Sequence, residues 1–82
     1  MGDDGAYRAV VEKIVADGPH GPYAVARSED LGSVTFSLGK SVWSEKDWPE
    51  PGTWVILSQL RKKRAGWRAG CGRFVIPSDE KH

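Results

Sequence analysis

A single cysteine, Cys71, and two histidines, His20 and His82, are all that the 82-residue chain offers toward disulfide, thiol or imidazole chemistry. An internal disulfide is excluded, and the usual ligands of a structural zinc site are missing. The sequence also lacks any apolar run near the roughly 20 residues that a membrane-spanning helix needs. Its start, Met1-Gly2-Asp3-Asp4, has neither the basic flank nor the apolar stretch of a signal peptide. The expected location is cytoplasmic, with no membrane partner. At this length one domain fits, which leaves no room for a two-domain enzyme. With 39% hydrophobic and 28% charged residues, the chain is too apolar for disorder and is expected to fold around a small core.

Acidic residues are absent from a long stretch. Residues 51–78 carry six cations (Arg61, Lys62, Lys63, Arg64, Arg68 and Arg73) and no carboxylate, whereas residues 1–50 carry nine carboxylates against five cations. The net charge of +1 therefore hides one basic region on a chain that is acidic elsewhere. Such a region is either a solvated hairpin tip or the footprint of a polyanionic partner.

Hydrophobic periodicity points to strands. Ser33–Leu38 alternates, with Val34, Phe36 and Leu38 on one face and Ser33, Thr35 and Ser37 on the other. Tyr7–Ala16 fits helical spacing through Tyr7, Val10, Val11, Ile14 and Val15, while its β-branched content suits a strand; a strand is expected because every later segment reads as one and a five-strand meander needs a first partner. Gly18-Pro19-His20-Gly21-Pro22 forces a turn before a second strand over Tyr23–Arg27. A long connection follows the third strand from Gly39 to Gly52, with a short helical turn expected at Ser44–Asp47. Thr53–Leu60 is the fourth strand, Arg61–Gly66 a basic hairpin tip and Trp67–Ile76 the fifth strand. Gly70 and Gly72 within that strand mark a bulge or a close backbone approach. The expected fold is all-β, a five-stranded antiparallel small barrel over residues 7–77, with a leader at 1–6 and a polar tail at 78–82. An OB-like and an SH3-like barrel both satisfy this pattern.

Several short pieces resemble the OB-fold of cold-shock domains and of the related RNA-binding repeats of ribosomal proteins and exoribonucleases. They are Val10-Val11-Glu12-Lys13-Ile14, Gly21-Pro22-Tyr23-Ala24-Val25, Gly32-Ser33-Val34-Thr35-Phe36-Ser37, Pro51-Gly52-Thr53-Trp54-Val55 and Gly66-Trp67-Arg68-Ala69. The resemblance spans about residues 7–76 and implies binding of single-stranded nucleic acid, RNA before DNA. It also implies that Tyr23 stands where related domains present an aromatic ring to a base. Cold-shock domains concentrate aromatics on their second and third strands; here those strands offer Tyr23 and Phe36, and the tryptophans lie at 43, 48, 54 and 67.

Aromatic rings beside cations suit single-stranded nucleic acid, because bases stack on the rings while cations hold the phosphates. The candidate contacts are Tyr23, Trp43, Arg61, Lys62, Lys63, Arg64, Trp67, Arg68 and Arg73. Trp67 is either a stacking platform or a core residue, and Trp43 either a plug or an exposed ring; Trp48 is expected to pack with Pro49, and Trp54 to be structural. Arg68 should point away from Trp67 if the strand is regular. No catalytic residue, metal site or cofactor is expected: Cys71 has no histidine near it in sequence, and His20 sits between prolines in a turn. The competing function is a protein-interaction module that docks a partner on exposed tryptophans.

Overall fold

The computed structural model describes residues 6–64 and 66–76. The expected polar tail, and the leader apart from Ala6, lie outside the described residues. Five strands form: β1 (Tyr7–Val15), β2 (Tyr23–Ser28), β3 (Gly32–Ser37), β4 (Trp54–Lys63) and β5 (Gly66–Phe74). They close into a barrel in the order β1-β2-β3-β5-β4, with β4 returning to β1. All pairs are antiparallel except β3 with β5, which run parallel. The long connection after β3 carries the chain across to β4, so the order is not a simple meander. The result is an all-β, OB-like small barrel.

Two irregularities set which side chains face inward. On β1, Val11 pairs with Ala26 and Lys13 with Val25, so Glu12 is an extra residue in a β-bulge. Ala9 and Val11 are buried before the bulge, and Ile14 packs on the core after it. The helix-like spacing of Val11 and Ile14 is thus the signature of a bulged strand. Bulged outward, Glu12 meets Arg27 at 2.8 Å, and this hydrogen-bonded pairing pushes the Arg27 pKa up. The second irregularity is Gln59 on β4, a non-glycine residue at φ 56°. Val55 and Leu57 are buried before it, while Leu60 packs on the core after it. Opposite stands Gly70, where a Cβ would come within 3.1 Å of the Gln59 Cβ.

The interior is lined by small side chains, Ala9, Ala24, Ala26 and Ala69, around two large ones, Phe36 and Trp43. Trp43 belongs to the connection between β3 and β4. A turn closed by Val42 N–H and Trp43 N–H donating to the Gly39 carbonyl (3.0 and 2.9 Å) brings it inward. The turn lies earlier than the expected Ser44–Asp47, because the connection continues as a partner for β5: Gly72 N–H donates to the Val42 carbonyl, and Ser44 N–H to the Gly72 carbonyl. The indole lies 5.7 Å from the Phe36 ring and meets Phe74 edge-on at 5.0 Å. Its Nε1–H donates to the Asp47 carbonyl at 2.7 Å, so the buried donor is satisfied. Gly72 leaves the space: a Cβ there would sit 3.0 Å from the indole.

Truncating Trp43 to alanine should cost about 3–5 kcal/mol, a large share of the stability of a domain this small. Thermal melts are expected to show Trp43→Ala largely unfolded at room temperature and Gly72→Ala clearly destabilised. A Trp43→Ala protein melting within a few degrees of the parent would contradict the plug.

Candidate functional site

The β4–β5 ladder runs further than the sequence suggests, pairing Arg61 with Arg68, Lys62 with Trp67 and Lys63 with Gly66. Arg61, Lys62 and Lys63 are therefore strand residues, and the tip shrinks to the turn that follows them. Directly paired residues share a face. Arg61, Lys63 and Arg68 accordingly lie on the outer face, while Lys62 lies with Trp67 on the other, as the alternation around Trp67 suggested.

The outer face continues across the barrel. Thr35 pairs with Arg68 and with Val25, so Val25, Thr35, Arg68 and Arg61 form one row across β2, β3, β5 and β4. At the usual strand spacing this row spans about 14 Å. Tyr23 and Ser37 form a pair in a neighbouring row. Between Tyr23, Thr35, Ser37, Arg68 and the Pro19–Pro22 turn lies an open cleft of ≈ 330 Å³. Arg68 and Lys63 also line a small hollow with Ser33, Thr35 and Trp67, and join Arg61 in a further one near Gln59 and Gly70. Arg68 borders all three and stands at the centre of the face.

Tyr23 is held from behind. A Cβ on Gly18 would come within 2.9 Å of the Tyr23 ring, so the β1–β2 turn packs its bare backbone against it. The Gly18 carbonyl accepts from Gly21 N–H at 3.1 Å, which closes that turn. Tyr23 remains half-buried and borders the cleft.

Not every expected contact joins this face. Trp43 is 1% exposed, so its rings are spent on the core and it is corrected from candidate contact to barrel plug. Arg73 pairs with Ile56 near the far end of β5 and donates from Nη1 to the Phe74 carbonyl at 3.2 Å, away from the cluster around Arg68. Trp67 is half-buried against the core with the Lys62 ammonium 5.2 Å from its ring centre, a cation–π contact that occupies ring and cation together. Arg64 is exposed in the turn after β4. Two expectations of packing reverse: Trp48 is 45% exposed while its neighbour Pro49 is the buried residue, and Trp54 is 46% exposed under the Arg8 guanidinium, 5.1 Å from its ring. In β4, Trp54 alternates with buried Val55, which puts it outside. The residues that sequence reasoning missed are Thr35 and Ser37, legible as the polar half of the β3 alternation, and Gln59, which had no signal.

A second groove, ≈ 520 Å³, lies where Arg8 and Trp54 approach Ser28, Glu29 and Asp30. It mixes carboxylates with its cation, so it does not select a polyanion. On the face built on Arg68, by contrast, Arg61, Lys63 and Arg68 make no ion pair among the described residues.

If the bare Gly18 backbone seats Tyr23, Gly18→Ala should shift the Tyr23 ring resonances in NMR spectra while the β4–β5 amide signals stay in place. Unmoved Tyr23 signals would show that the turn does not hold the ring. In comparisons with known proteins, no family model, no curated protein and no solved structure matches this chain.

Proposed function

We propose that this protein binds single-stranded nucleic acid without catalysis, over the outer face of β2, β3 and the β4–β5 hairpin. The observation that carries the reading is the continuity of that face: Tyr23 and its cleft lead through Thr35 to Arg68, Arg61 and Lys63, with no described carboxylate paired to those cations. In OB-type barrels the same region, strands 2 and 3 with the loops beside them, binds oligonucleotides or oligosaccharides. The cations favour the former. Phosphates would be held by the arginines and lysine, and one base would stack on Tyr23. Ser33, Thr35 and Ser37 offer hydroxyls that can hydrogen-bond a ribose 2′-OH, which favours RNA.

Titration of a mixed-sequence RNA oligonucleotide across a salt series tests this. Three cations neutralised by phosphate should give a log–log slope of about −2, at roughly −0.7 per ionic contact. Arg68→Ala should flatten the slope by about 0.7, and Tyr23→Ala should weaken binding by about 1–3 kcal/mol with the slope unchanged. No binding at low salt would sink the reading. It would favour instead a protein-docking module, for which the exposed rings of Trp48 and Trp54 are the specific support.

A further inference from the structure

We propose that Arg61, Lys63 and Arg68 form a pocket for a phosphomonoester, the terminal phosphate of a bound strand, so that this protein grips nucleic acid by an end. The inference rests on the nucleic-acid reading and narrows it to a particular ligand group.

The argument starts from an unfavourable arrangement. Arg61 and Arg68 are directly opposed across β4 and β5, and like charges so placed repel. Lys63 stands on the same face and lines the same ≈ 230 Å³ hollow. Among the described residues no ion pair relieves the three, whereas Arg27, on the neighbouring part of the sheet, has Glu12 at 2.8 Å. The backbone is held in an uncommon conformation beside them. Had β4 continued regularly beyond Leu57, Leu60 would face outward and Arg61 and Lys63 inward. The left-handed residue Gln59 reverses that alternation, and Gly70 makes room for it. Gln59 and Gly70 both line the hollow. Non-glycine backbone in the left-handed region clusters at ligand-binding and other functional sites.

The hollow has the charge that suits a terminal group. An internal phosphodiester brings one negative charge, but a monoester brings about −1.5 to −2 at neutral pH. Three uncompensated cations match the second better. Val42 also lines the hollow, and its carbonyl is bonded to Gly72 N–H, which places it at the end remote from the hairpin turn. The β3–β4 connection therefore bounds the hollow on the side away from the hairpin turn.

The test compares one short RNA of about six nucleotides, within the site size of such barrels, made with a 5′-phosphate, with a 3′-phosphate or with hydroxyls at both ends. One phosphorylated form should bind about tenfold tighter than the hydroxyl form, the scale of one added charge-assisted contact. Arg61→Gln should bring that advantage down to within twofold. The advantage should also shrink below about pH 6, where the monoester takes up its second proton. His20, beside the Tyr23 cleft, is controlled for by the hydroxyl-ended strand. Equal binding of all three RNAs would overturn the terminal-phosphate pocket and leave the nucleic-acid reading standing. Failure of all three to bind would overturn both.

Discussion

Trp43 lies against the one point of β5 where the strand presents no side chain inward, Gly72, and much of the barrel depends on that contact. β3 leaves β5 after Phe36 pairs with Ala69, so the rest of β5 would be an open edge. The β3–β4 connection takes over that edge through the backbone bonds of Val42 and Ser44 to Gly72, and the Glu45 carboxylate accepts from Phe74 N–H at 3.2 Å. Edge groups are satisfied and the interior is filled by the same dozen residues. The alanines of β1, β2 and β5 follow from it, since a barrel holding an indole and a phenyl ring has little room for larger wall residues.

With the barrel closed in this way, β5 lies between β3 and β4, and the outer surface becomes one continuous sheet from Tyr23 to Arg61. The parallel β3–β5 pair matters for the proposed function because it brings the polar half of β3, with Thr35 at its centre, beside Arg68. Residues more than thirty positions apart thereby share a row. The aromatic and cationic halves of the face come from different hairpins, and neither hairpin alone would carry both.

Charge on this molecule is sorted by pairing as much as by number. Arg27 is matched by Glu12, Arg8 rests on Trp54 and Lys62 on Trp67, leaving Arg61, Lys63 and Arg68 as the cations gathered on one face without an ion pair among the described residues. The tryptophans sort likewise. Trp43 fills the core, Trp67 packs half-buried against it beneath a lysine, and Trp48 and Trp54 keep exposed rings on other parts of the surface.

The sequence by itself determined the four later strands, the glycine–proline turn before β2, the inward face of β3 and the acid-free stretch that becomes the basic hairpin. These are local properties, carried by alternation, by glycine and proline, and by charge, and each is legible within about ten residues. It also marked Gly70 and Gly72 as places of a bulge or a close approach. Tertiary structure alone decided what approaches them, Gln59 and Trp43, because both contacts join distant segments. It decided as well that the three-residue spacings of Val11 with Ile14 and Leu57 with Leu60 are breaks in strand alternation, at a bulge and at a left-handed residue, and not turns of a helix. The fate of each tryptophan was settled at the same level: hydrophobicity makes an indole a candidate for burial, and the geometry of the β3–β4 connection gives the space beside Gly72 to Trp43.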